Sequence, residues 1–291
     1  MNPNLESLKS LILLLDDPDD QIYDHVSKEV KKFGVEAIPL LEESWEYSDL
    51  GELFQTRIEK ITHEIQFDII EKRLIDWKNS TSKDLIEAWL IISKWHFPGL
   101  EEKRVYDKIE TIKKTIWLEI NESQTAFEKV AIINKIIYEE FHFQGDTKNY
   151  HSPINSYINT VLETKHGNPL SLSILYSYIS QSLNIPIYGI NLPSHFLIGY
   201  IDQFKTNSSI GINKSGVLFY INAFSEGSIL YHSDIKSFLE QLKITDNPIY
   251  YEPCSNTTIV NRILSNLISS YQQSNHEEKV FELSIFKRLL Q

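Results

Sequence analysis

The hydrophobic period of the chain changes near residues 145–150, and that change constrains the fold more than any other feature. Before it, apolar residues recur at helical spacing. After it, short β-rich runs stand between proline, glycine and serine. Six of the ten glycines (Gly167, Gly189, Gly199, Gly211, Gly216 and Gly227) fall within 147–250, where glycine punctuates strands and turns. The expected class is α+β, a mostly helical chain that carries a small antiparallel sheet.

Leu11–Leu15 reads as the core face of a first helix. It stops at Asp16-Asp17-Pro18-Asp19-Asp20, whose carboxylates suit the positive end of the next helix. Ile22, Val26, Val30 and Phe33 then repeat at helical spacing, with Gly34 as a C-cap. Val35, Ile38, Leu41 and Trp45 form a second stripe. The pattern LLDDPDDQIYDHVSKEVKKFGVEAIPLLEESW resembles a HEAT repeat, whose units run about 40–47 residues. A degenerate second unit is expected over Gly51 to Trp77.

Further helices are expected over Leu85–Trp95, Arg104–Asn121 and Ala126–Phe141, the last opened by a capping box, Thr125-x-x-Glu128. Ser152-Pro153 reads as an N-cap followed by proline at the first helical position. That helix should run to about His166, with Gly167 as its stop. Asn168-Pro169 repeats the start signal, and the helix it opens carries Leu172, Leu175, Ile179 and Leu183. Strands are expected at Ile187–Asn191, Phe196–Asp202 and Val217–Asn222, with a fourth at Ile229–Tyr231. Beyond Pro253, two apolar stripes (Val260 to Tyr271 and Val280 to Leu290) predict a helical hairpin. The expected division is 1–80 for the HEAT-like helices, 81–250 for a core with its sheet at about 185–232, and 251–291 for the hairpin.

Charge and composition limit the functions open to such a chain. With 28 basic against 40 acidic residues it carries −12 at pH 7, which disfavours the clustered cations that nucleic-acid binding needs. Residues 1–146 hold 18 of the basic and 30 of the acidic residues and so account for the whole net charge. That part is expected to favour a basic protein or peptide. One cysteine, Cys254, excludes an intrachain disulfide and a multi-cysteine metal site, and suits a reducing, cytoplasmic setting. No apolar run reaches the roughly 20 residues of a membrane span, and Glu6 stands where a secretory leader would be basic. His142 and His151 are nine apart, and no H-E-x-x-H, G-x-G-x-x-G or G-x-x-x-x-G-K-[ST] occurs. Neither a metal nor a nucleotide cofactor is therefore expected.

The most specific stretch is NSYINTVLETKHGNPLSLSILYSYISQSLNIPIYGINLPSHF, Asn155 to Phe196. It resembles the SirB1 family, whose core is assigned to the transglutaminase-like superfamily. The matching residues are Asn155, Ser156, Tyr157, Asn159, Val161, Leu162 and Glu163, then Gly167, Pro169, Ser171 and Leu172, then Pro193, His195 and Phe196. Weaker similarity runs from about Leu85 to Leu290, and RILSNLISSYQQSNHEEKVFEL resembles the helical hairpin that follows this core in the family. The resemblance implies a papain-like core. Active members of the superfamily carry a cysteine at a helix N-terminus, a histidine on a following strand and an Asp or Asn on the next. The helix dipole lowers the thiol pKa, the imidazole takes the proton, and the third group orients the imidazole.

By that resemblance His195 and Asn222 fill the second and third places. The resemblance also implies that the cysteine lies about five helical turns before a Gly-Ile-Pro-like turn, and counting back from Asn184-Ile185-Pro186 reaches Pro169. Proline has no nucleophile; the nearest hydroxyls are Ser171 and Ser173, and Cys254 lies beyond the strands. The expected function is non-catalytic, a protein- or peptide-binding or regulatory module with Asn155, Glu163, His195 and Asn222 as binding candidates. The alternative is a hydrolase or acyl-transferase that uses Ser171 with His195 and Asn222. A third reading is a scaffold whose helical half alone binds partners.

Overall fold

A computed structural model describes residues 3–47, 51–202 and 216–291. The segment 203–215 of the expected sheet portion, with Gly211, lies outside the described residues. The chain divides into two units, Met1–Asp76 and Trp77–Gln291.

The first unit contains helices α1 (Pro3–Leu13), α2 (Asp20–Lys31) and α3 (Ile38–Tyr47), and most of α4 (Glu52–Asn79). Asp19 caps α2 by accepting the Gln21 N–H at 2.8 Å. Gly34 takes φ +55 in the turn after α2, a conformation that costs glycine least. Leu8, Ile12, Leu15, Val26, Val30, Leu41, Phe54 and Ile61 close into one apolar core. Leu13 and Leu14 point outward, so the Leu11–Leu15 run is only partly a core face. The expected second helix–turn–helix unit over Gly51 to Trp77 is absent: α4 is one 28-residue helix with no break. On α4, buried Arg57 donates to Leu15 O (2.9 Å), Asp17 O (2.6 Å) and Asp20 Oδ1 (3.2 Å). Its guanidinium also lies 4.2 Å from the centre of the Tyr23 ring, so the cation tethers the acid-rich break to α4.

The second unit is built round α5 (Leu85–His96), which is buried on nearly every side; such a helix belongs inside a core. Helices α6 (Glu102–Glu119) and α7 (Ala126–Asn134) follow. The Thr125–Glu128 capping box is present at the start of α7. The helix expected to reach Phe141 widens over Lys135–Glu140 into i→i+5 bonding, which Phe141 N–H closes on Ile136 O at 2.9 Å. Strand β1 (Gln144–Gly145) pairs in parallel with β2 (His166–Gly167), a ribbon not visible in the hydrophobic pattern.

The helix expected from Ser152 to His166 is two pieces. A single tight turn, Pro153–Ser156, is separated from α8 (Ile158–Thr164) by Tyr157 in extended conformation. Tyr157 is buried, hydrogen-bonded to Tyr271 at 2.9 Å and stacked on His96, and this anchorage breaks the helix. The Ser152 side chain makes no capping bond. Lys165, at φ 63, ends α8 rather than Gly167.

Asn168 caps α9 (Pro169–Ser182) as expected, with Pro169 at the first helical position. Strands β3 (Ile187–Ile190), β4 (Leu197–Ile201), β5 (Val217–Asn222) and β6 (Ser228–Leu230) form an antiparallel sheet in that order. Helix α10 (His232–Gln241) was not expected; it follows β6 almost at once. Helices α11 (Asn256–Gln273) and α12 (Glu277–Leu289) form the hairpin, and α11 packs on α5 and on the 153–156 turn. A small sheet among many helices makes the fold α+β. Among the described residues no helix is long and apolar enough to cross a membrane.

Candidate functional site

Three segments of the second unit meet at a polar cleft of about 330 Å³. The start of α9 supplies Asn168, Pro169 and Leu170; the turn before β4 supplies Ser194, His195 and Phe196; one face of α11 supplies Arg262, Asn266, Ser269 and Ser270. Tyr150, His151, Ser152 and Ser156 complete the wall. The α11 residues share a face because they are spaced by about one or two helical turns.

Asn168 organises the α9 end. Its Oδ1 accepts the Ser171 N–H at 2.9 Å, its N–H donates to Ser171 Oγ at 2.9 Å, and its Nδ2 donates to Ser156 Oγ at 2.9 Å. The Ser171 hydroxyl also donates to Asn168 O at 3.2 Å. Ser171 is buried and does not line the cleft. Ser171 is therefore not placed as the expected nucleophile: its hydroxyl is committed to the capping box, pointed at backbone. Ser173, the other nearby hydroxyl, is also buried outside the cleft. Pro169 and Leu170, the first two residues of α9, line the same cleft as His195.

His195 and Asn222 are brought together. The β4–β5 register pairs Ile198 with Ile221, so Leu197 lies level with Asn222. His195 stands two residues earlier, in the turn before β4 rather than on the strand, and reaches Asn222 as a diagonal neighbour. The Asn222 amide is fixed: Oδ1 accepts the Phe224 N–H at 3.1 Å and Nδ2 donates to Ser225 Oγ at 3.1 Å. Burial pushes the His195 pKa below its ordinary value; the hydrogen bond with Asn222 opposes this, and the Arg262 cation adds to it. A neutral imidazole held by an amide therefore faces the cleft.

Arg262 was not among the sequence candidates. Its Nη1 donates to Asn191 Oδ1 at 3.2 Å and Leu192 O at 3.3 Å, both neutral acceptors. Burial lowers its pKa from the ordinary guanidinium value. The signal was present in the sequence: Arg262 is the one charged residue in the 18 of α11.

The remaining candidates lie elsewhere. Asn155 is buried, with Nδ2 donating to Asp146 Oδ2 at 3.2 Å and Asn149 O at 2.9 Å. Burial raises the Asp146 pKa, but the bonds from Asn149, Asn155 and Lys148 outweigh it and hold the carboxyl below its ordinary value. Asn155 thus pins the 146–149 loop and is not a cleft residue. Glu163 lies 3.8 Å from Lys108 and lines a separate groove of about 450 Å³ with His96, Phe97 and Arg104. The four binding candidates therefore do not form one site. Cys254 donates its N–H to Gly189 O at 2.9 Å beside β3, outside the cleft, and burial pushes its thiol up to about 12. Such a thiol is not a nucleophile at neutral pH.

Residues 103–265, more than half of the chain, match the family described as Transglutaminase-like superfamily. A UPF0162 protein of Xylella fastidiosa is 27% identical over 136 residues, which are 45% of this chain and 48% of that protein. A UPF0162 protein of Vibrio cholerae is 25% identical over 191 residues, 64% of this chain and 66% of that one. F-box only protein 21 of Homo sapiens is 28% identical over 137 residues, 47% of this chain and 21% of that protein. The chain spans about half of the Xylella relative and about a fifth of the F-box protein. No solved structure matches the chain.

Proposed function

Because the chain belongs to the transglutaminase-like superfamily, we propose that its cleft binds a protein or peptide segment and performs no acyl transfer. One observation carries the reading: the residue at the first position of α9, in the wall of the cleft that also holds the Asn222-bonded His195, is Pro169. Acyl transfer through an enzyme intermediate needs an atom there that can attack and then leave. The hydroxyl of Ser171 is turned into the capping box, and the thiol of Cys254 lies outside the cleft. What the site keeps is an oriented imidazole and a row of polar side chains on α11, a surface suited to holding an extended segment. Within the superfamily we place the chain nearest the SirB1 family, on the Asn155–Phe196 motif. We also read α2 and α3 as HEAT-like, and the setting as cytoplasmic.

Intact-protein mass spectrometry after incubation with p-nitrophenyl acetate, or with a glutaminyl peptide and hydroxylamine, should show no acyl adduct and no burst. A peptide-display selection on the full chain should enrich binders that Asn266→Trp, which fills the cleft, releases. An adduct that disappears in Ser171→Ala or Cys254→Ser would overturn the non-catalytic reading.

A further inference from the structure

We propose that the cleft recognises a carboxylate carried by the bound peptide, with Arg262 as its ionic partner; this rests on the peptide-binding reading above.

The chain has 40 acidic residues, yet no Asp or Glu lines the cleft. Its titratable lining is Arg262, His151, His195 and Tyr150. Among the described residues no carboxylate pairs with Arg262. Asn191 and Leu192 occupy only Nη1, so they orient the guanidinium without neutralising it. A partly buried cation without a counter-charge is costly. A ligand carboxylate would remove that cost through Nη2 and Nε, in the forked geometry that guanidinium and carboxylate share.

Two further donors sit in the same wall. Ser156 is 4% exposed, and its Oγ accepts from Asn168. Its O–H has no acceptor among the described residues and is left for a ligand. Leu170 lies at the second position of α9, where a helix start leaves N–H groups without an intrahelical partner. The positive end of the 14-residue α9 opens on the cleft and favours negative charge. No carboxylate in the lining favours a basic side chain. One arginine also matches the single charge of a carboxylate better than a phosphoryl dianion, which sites commonly meet with arginine clusters.

Four probes test this on the full chain: N-acetyl-Gly-Gly, N-acetyl-Gly-Gly-amide, N-acetyl-Gly-Asp-Gly-amide and inorganic phosphate. The readouts are the NMR signals of the His195 ring and the Arg262 Nε–H. The free carboxylate should bind saturably and raise the His195 pKa, and the first amide should bind at least tenfold more weakly. Binding of the Asp peptide as well would show that either a side-chain or a C-terminal carboxylate serves; its failure would assign the C-terminal one. Arg262→Gln should abolish the effect. Since Arg262 also holds the 191–192 turn, Asn266→Asp gives a second variant. It places a carboxylate one turn along α11, beside Arg262, and should block the probes while leaving the fold intact. Equal binding of the neutral amide, tighter binding of phosphate, or full binding by Asn266→Asp would overturn the proposal. Display-selected peptides that bind without a carboxylate would overturn it and leave the peptide-binding reading standing. An acyl adduct would overturn the non-catalytic reading and leave the carboxylate proposal standing.

Discussion

His195 is an imidazole held neutral at pH 7. Its burial, together with Arg262 and against the bond to Asn222, keeps its pKa below 6.5. His96 is lowered likewise by burial and by Lys279, and it stacks on Tyr157 with ring centroids 4.9 Å apart. Both rings bind protons more tightly in the unfolded chain, and stability rises with pH wherever the unfolded state binds more protons. Their contribution is complete above 6.5 and is lost as the pH falls through the folded-state values. The thermal midpoint should therefore fall between about pH 7.5 and pH 5, and a His96→Asn, His195→Asn double variant should flatten that fall. An unchanged slope in the variant would remove both rings as its cause. His195 and Asn222 were legible because a motif and a strand end placed them. Arg262 was not, because a single cation on a helix reads as surface until the cleft beside it is known. Asn155 and Glu163 match the motif, yet one pins a loop and the other faces solvent, and sequence spacing does not distinguish such residues from ligands.

Helix starts show which local signals are decisive. Thr125 and Asn168 each bond the N–H of the third helical residue and receive a bond in return. Ser152 stands at a similar place but its side chain makes no capping bond, since only one tight turn follows. Thr125→Ala should thus cost about 0.5–2 kcal/mol in urea unfolding, whereas Ser152→Ala should stay within about 0.5 kcal/mol. Equal costs would show that position rather than the capping bond sets the effect. The long elements were legible in the same way: α9, α11, α12 and strand β5 follow runs of apolar residues bounded by caps and turns. Others were hidden by physics that a period does not carry. The i→i+5 widening after α7 leaves side-chain spacing nearly helical. Helix α10 was lost because it begins one residue after β6, so one window spans two periods. Gly167 was read as a helix stop, but its requirement is close approach: a Cβ there would lie 2.6 Å from Ser171 Oγ, inside the α9 capping box.

At the scale of the whole chain, charge is divided by part. The acidic excess lies wholly in residues 1–146, and the cleft of the second unit has no acidic lining. The division was legible in composition alone; its meaning for the cleft needed the fold. In the first unit, Glu42, Glu46 and Glu59 line a groove of about 400 Å³ with Trp45, whose Nε1 donates to Glu59 Oε1 at 3.1 Å. Carboxylates around a partly exposed indole suit a lysine or arginine side chain, through charge and through the ring face. A fluorescent lysine-rich peptide should accordingly bind the full chain at low salt. Because exposed charges are screened beyond about 8–10 Å at physiological ionic strength, the affinity should fall severalfold between about 50 and 300 mM salt. A Glu42→Gln, Glu46→Gln, Glu59→Gln variant should bind the peptide weakly at either salt concentration. The same measurement with duplex DNA should give no binding, since the first half carries 18 basic against 30 acidic residues and its net negative charge repels the phosphates. Salt-sensitive DNA binding, or peptide binding that survives both high salt and the triple substitution, would show that the acidic half does not select its partners by charge.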